Sequence, residues 1–114
     1  MLYALLIFPK PGSYDELNDA DREAITAEYT AIAGEDRVLG GAHLQPPETA
    51  TTVRQNGEGV LTTDGPFADT KEVFGGWYLV DADDLDAALE VAGRVPAVRM
   101  GGAVEVRPVV ESSH

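Results

Sequence analysis

The chain has 114 residues, enough for one domain with little room for a second. Hydrophobic residues make up 44% and charged residues 25%, ordinary globular usage, but the formal net charge of −12 argues against nonspecific binding to nucleic acid or an anionic membrane, both of which draw on Lys and Arg. With no cysteine, and with His43 and His114 as the two histidines, disulfides, thiolate chemistry and a structural zinc site of usual spacing have no support.

Leu2 to Phe8 is continuously apolar and stops at Pro9-Lys10-Pro11-Gly12, so it reads as a strand covered on both faces. It is too short to span a bilayer and has no basic flank of a signal peptide, which makes a cytoplasmic location the expectation. Asn18 to Ala33 reads as a helix, with Asn18 as its cap, acids in its first turns, Ile25, Tyr29 and Ile32 on one stripe, and Gly34 as its stop. Val38 to Leu44 is a second strand containing Gly40-Gly41, and Gln45-Pro46-Pro47 ends it. Thr51 to Arg54 and Val60 to Thr63 flank Asn56-Gly57, the signature of a β-hairpin. Asp64-Gly65-Pro66-Phe67 is turn sequence, and Phe74 to Val80 is another strand with Gly75-Gly76 near its start. Asp83 or Asp84 caps a second helix whose stripe is Leu85, Ala88, Leu89 and Ala92, ended by Gly93 and Pro96. The last strand is Ala103 to Pro108, with Val104 and Val106 facing one way and Glu105 and Arg107 the other.

The order is β-α-β, an inserted hairpin, then β-α-β. This is the split βαβ pattern of ferredoxin-like α+β folds, with helices on one face of an antiparallel sheet. The expected organisation is a single domain over residues 1–110 with a short tail over 111–114. Two helices cover one face of the sheet, and the apolar residues of the other face call for a cover, so a homodimer is expected.

Thr63-Asp64-Gly65-Pro66-Phe67-Ala68-Asp69-Thr70-Lys71-Glu72 resembles the signature of the DGPF family, a branch of the YCII-related proteins; the chain departs at Asp69, where Glu is usual. Leu44 to Pro47, Thr49 to Arg54 and Gly102 to Pro108 agree with the flanking blocks, and the match covers nearly the whole chain. The resemblance implies a dimeric α/β-barrel assembly in which two sheets pack face to face. It also implies an association with sigma factors of the extracytoplasmic-function group, and a site for which YCII-related proteins suggest a His–Asp pair. It brings no established reaction.

Four groups of residues are candidates for a site, each with a plain structural reading beside it. Asp64 as an acceptor or base and Lys71 as an anion ligand belong to the first, against turn chemistry with Phe67 as an anchor. His43 is the one internal residue of the type whose unperturbed pKa lies near neutral pH; set beside Asp64 or Asp69 it is a general-base candidate, against a hydrogen-bonded strand histidine. Trp77, Tyr78 and Phe74 are pocket walls or core and interface aromatics. Arg99 and Arg107 are carboxylate ligands or partners of nearby acids. The glycine pairs do not form a dinucleotide fingerprint, and no cofactor or metal is expected. Three functional readings stand: a small-molecule-binding or accessory protein with a sigma-factor partner, a cofactor-free enzyme using His43, Asp64 and Lys71, and a structural dimeric interaction module.

Overall fold

The computed structural model describes residues 1–67 and 73–111. Among these residues, six strands and three helices follow in the order β1 (Leu2–Phe8), α1 (Asp19–Ala33), β2 (Val38–His43), β3 (Thr51–Gln55), β4 (Val60–Asp64), β5 (Gly76–Asp81), α2 (Leu85–Arg94), α3 (Pro96–Arg99) and β6 (Ala103–Pro108), with a short 3-10 turn at Pro47–Thr49. β2, β5, β1 and β6 lie side by side in that order, every neighbouring pair antiparallel, while β3 and β4 form a separate two-stranded sheet. The first strand sits between the last two of the main sheet, which is the ferredoxin-like arrangement expected from the β-α-β repeat.

Alternation along β1 explains which face the helices take. Tyr3, Leu5 and Ile7 are buried, and their cross-strand partners Val80, Tyr78 and Gly76 on β5 share that face. Ile32 of α1 and Ala88, Val91 and Ala92 of α2 close over them to make the core. Leu5, Val80 and Val91 are completely enclosed, each worth about 1.5–3 kcal/mol relative to exposure. α1 lies over β2, and α2 and α3 lie over β6.

Both long helices start where the sequence supplies a cap. The Asn18 side chain accepts from the Asp21 amide and that of Asp84 from the Ala87 amide, each satisfying an otherwise unpaired first-turn N–H. Around α2 and β5 the boundaries differ from the sequence expectation. α2 runs through Gly93 to Arg94. Pro96 does not end helical structure but opens the short α3, where its missing N–H costs nothing at the first position. Phe74 lies before β5 and packs tilted against Phe8, ring centroids 5.6 Å apart, instead of joining the ladder. No helix among the described residues is long and apolar enough to cross a membrane.

Candidate functional site

The main cavity lies between α1 and the β2–β5 half of the sheet, and it exists because side chains are missing there. Register places Gly41 opposite Tyr78, and Gly76 between Ile7 and His43. Cross-strand partners share a face, so Gly41 and Gly76 both point at the helix layer. A Cβ on Gly41 would run into the Trp77 carbonyl oxygen, and one on Gly76 would come within 2.7 Å of the Ala42 carbonyl oxygen. Neither position has room for a side chain, and the space above them stays empty. The result is a cleft of about 360 Å³.

Ile25, Thr26 and Tyr29 of α1 form its roof, Tyr14 of the β1–α1 segment closes one end, and Tyr78 and His43 line the sheet side. Arg22 fixes the segment carrying Tyr14, since its guanidinium donates to the carbonyls of Tyr14 at 2.7 Å and Leu17 at 3.3 Å. The Tyr78 hydroxyl donates to the Tyr29 carbonyl at 2.8 Å, tying β5 to α1. Burial, reinforced by the hydrogen bond to Tyr14, pushes the Tyr29 phenol well above its usual pKa, and burial raises that of Tyr78 as well. These phenols stay neutral and serve as hydrogen-bonding groups in an apolar wall. His43 is exposed at the mouth of the cleft, on the last residue of β2.

The residues singled out in the sequence are scattered over the fold. His43, Trp77 and Tyr78 line the cleft. Asp64 is exposed at the end of β4, opposite Thr51, and is not among the cleft-lining residues. Phe67 is exposed beneath the Arg54 guanidinium, which sits 5.1 Å from its ring centroid. Arg99 forms a two-pronged ion pair with Glu28, joining α3 to α1, and Arg107 is 4.0 Å from Glu105 on its own strand. Lys71 and Asp69 lie outside the described residues, as does His114. Tyr14, Thr26 and Tyr29 are among the cleft residues that sequence reasoning did not assign to a site. Tyr29 was visible only as a member of an amphipathic stripe.

Among the described residues no three His, Asp or Glu side chains gather in a way that would hold a metal ion.

An antiparallel sheet with helices on one face and a cleft beneath the first helix defines a ferredoxin-like small-domain protein. The YCII-related domain model matches residues 1–113, and the chain belongs to that family. It is 33% identical to an uncharacterised protein of Rhizobium meliloti strain 1021 over 114 residues, 96% of this chain and 92% of that one. Its fold is similar to that of the 5-chloro-2-hydroxyhydroquinone dehydrochlorinase of Burkholderia phenoliruptrix AC1100, solved with 2,5-dihydroxybenzoquinone. That match has a TM-score of 0.55 and 17% identity, and covers all of this chain and 98% of the other.

Proposed function

We propose that the protein binds a small, flat, largely apolar molecule in the cleft between α1 and the sheet. The observation that supports this reading is the cleft itself: two inward-facing glycines keep a cavity of about 360 Å³ open where a packed core would place side chains. That volume falls within the range of about 300–1,000 Å³ of small-molecule sites, and an apolar wall with a few polar groups is their usual lining. Tyr14, Thr26 and His43 offer hydroxyl and imidazole groups to orient a ring bearing oxygen substituents. Among the described residues the cleft lining includes no Lys, Arg, Asp or Glu, which favours an uncharged ligand. The quinone held by the structurally similar dehydrochlorinase is a molecule of this size class.

The position of His43 favours a second reading, cofactor-free chemistry on such a ligand with the imidazole as proton acceptor. The test is calorimetric titration with a panel of monocyclic phenols and quinones, including 2,5-dihydroxybenzoquinone, followed spectroscopically for turnover. Saturable binding of one molecule per chain is the expected result, and absence of saturable binding across the panel overturns the proposal. Turnover that disappears in His43→Gln while binding persists selects the enzymatic reading.

A further inference from the structure

Among the described residues, five hydroxyl groups line the cleft, on Tyr14, Thr26, Tyr29, Thr30 and Tyr78. A hydroxyl has one proton to donate, so each group can act as a donor once. Most of these protons are already committed within the protein. Tyr78 donates to the Tyr29 carbonyl at 2.8 Å, and Thr30 donates to the Thr26 carbonyl at 2.9 Å. Tyr29 donates to the hydroxyl oxygen of Tyr14; burial and that bond together hold its phenol above the usual pKa. Thr26 keeps its proton, but it stands exposed on α1, where water takes it.

Tyr14 is left as the half-buried donor with a proton to give. Its hydroxyl is also the end of a chain. The main-chain N–H of Ala97 bonds to the Tyr29 oxygen, and Tyr29 in turn bonds to Tyr14. Successive hydrogen bonds polarise one another, so the last proton of the run is a better donor than that of an isolated phenol.

The segment that carries Tyr14 is braced along its length. Pro9 and Pro11 fix two φ angles, and Gly12 turns the chain at a φ of 79°, in the left-handed region that favours glycine. Ser13 N–H donates to the Lys10 carbonyl and Asp15 N–H to the Gly12 carbonyl, both at 3.1 Å, and Leu17 N–H reaches the Tyr14 carbonyl at 3.2 Å. The Arg22 guanidinium adds its bonds to the Tyr14 and Leu17 carbonyls. Pro9 lies so close to Gly75 that a Cβ there would come within 2.8 Å of its ring. This anchors the segment at the end of the sheet where His43 pairs with Gly76. A donor held in place before the ligand arrives loses little freedom on binding, which is the condition under which its hydrogen bond adds most to affinity.

We propose that the cleft selects uncharged cyclic carbonyl compounds, with Tyr14 donating to the carbonyl oxygen. This rests on the reading that the cleft binds a small flat molecule, and it adds which atom of that molecule is recognised and by what. A carbonyl oxygen brings two lone pairs and no proton of its own. A ligand hydroxyl brings a proton that needs an acceptor, and the Tyr14 oxygen already accepts from Tyr29. Among the described residues no carboxylate lines the cleft to take that proton instead. A donor left unpaired in the cleft costs the ligand its lost hydration.

The test is calorimetric titration with a matched pair, 2,6-dimethyl-1,4-benzoquinone and 2,6-dimethylhydroquinone, which share a ring and a size and differ in carbonyl against hydroxyl. The chain has no cysteine, so the quinone is not consumed by thiol addition. The wild type is expected to bind the quinone about five- to tenfold more tightly than the hydroquinone. Tyr14→Phe keeps the ring and is expected to erase that preference by weakening the quinone alone. The vibrational spectrum of the bound quinone gives a reading on the wild type itself: its carbonyl band is expected at lower wavenumber than in the free molecule. In Tyr14→Phe the band is expected to return toward the free position. Absence of saturable binding by either probe overturns the reading of the cleft as a ligand site, and this proposal with it. Equal affinity for the two probes, or a preference that survives Tyr14→Phe with the carbonyl band unmoved, overturns the role of Tyr14 and leaves the cleft a ligand site.

Discussion

The Tyr78 hydroxyl donates a hydrogen bond to the main-chain carbonyl of Tyr29 at 2.8 Å, so one side chain of the central sheet sets the height of α1 above the cleft. Both residues line the cleft, and Tyr78 is the cross-strand partner of Gly41. Tyr78→Phe keeps the ring and removes the bond. It is expected to cost about 1 kcal/mol, because the Tyr29 carbonyl is left with fewer donors in a partly buried setting. Urea unfolding measures the cost as a lower midpoint with unchanged slope. Affinity for a cleft ligand falls in the same variant, since the roof is no longer fixed before binding.

Filling the cleft separates binding from stability. Thr26 lines the cavity from α1, is exposed and lies mid-helix. Leucine is a better helix former than threonine by a few tenths of a kcal/mol. Thr26→Leu is therefore expected to leave the thermal midpoint unchanged or slightly higher while weakening probe binding by at least about tenfold. Calorimetry and thermal unfolding on the same sample check both halves. Unchanged affinity would place the ligand elsewhere.

The frame of the molecule is written in local signals. Asn18 and Asp84 announce their helices because a short side-chain acceptor must stand before an unpaired first turn, and the seven apolar residues of β1 admit only a central strand. α3 escapes such reading. Its four residues are held by the packing of Pro96 and Ala97 and by the Gly102 amide on the Ala97 carbonyl, contacts made only in the folded chain. The cleft escapes for the same reason. Gly40-Gly41 and Gly75-Gly76 mark close backbone approach, but only the strand register makes Gly41, Gly76 and His43 neighbours on one face. Tyr29 fits a core stripe as well as a site wall, because both roles ask for a large amphipathic ring facing inward.

Gly102 begins the crossing from α3 into β6, where the chain passes closest to β1. A Cβ there would collide with the Phe8 carbonyl oxygen and lie 3.0 Å from both the Ala97 carbonyl oxygen and the Lys10 amide nitrogen. All three are main-chain atoms and cannot rotate away. Gly102→Ala is expected to destabilise the fold by about 1–3 kcal/mol, a large effect for one methyl group. Gly93→Ala is the control: nothing lies within 4 Å of a Cβ there, and alanine removes the helix penalty of glycine in α2. It is expected to stabilise by about 0.5–1 kcal/mol. Chemical denaturation of the two variants should move the midpoint in opposite directions.

A surface network of four charges joins the end of α1, the start of β2 and α2, and it gives stability a defined pH dependence. Arg94 donates to Glu35 at 2.7 and 3.0 Å and to Glu90 at 2.8 Å, while Arg37 reaches both carboxylates. The hydrogen bonds from Arg94, aided by those from Arg37, hold both carboxyls below the ordinary glutamate value of 4.5, against the opposing effect of desolvation. Because the folded state lowers these pKa values, it binds fewer protons than the unfolded chain in the acid range. The contribution is complete above 4.5 and is lost as pH falls through the folded values. Unfolding free energy is therefore expected to be level near neutrality and to decline below about pH 4.5. Arg94→Gln should lower it by no more than about 1 kcal/mol at pH 7, since the pairs are solvent-screened, and should flatten the acid decline. Salt at 0.5 M, an ionic strength that shortens the screening length to roughly 4 Å, should shrink the difference between the two proteins. Urea titrations of both at pH 7 and pH 4 decide the matter: parallel acid declines would show that these four residues are not its source.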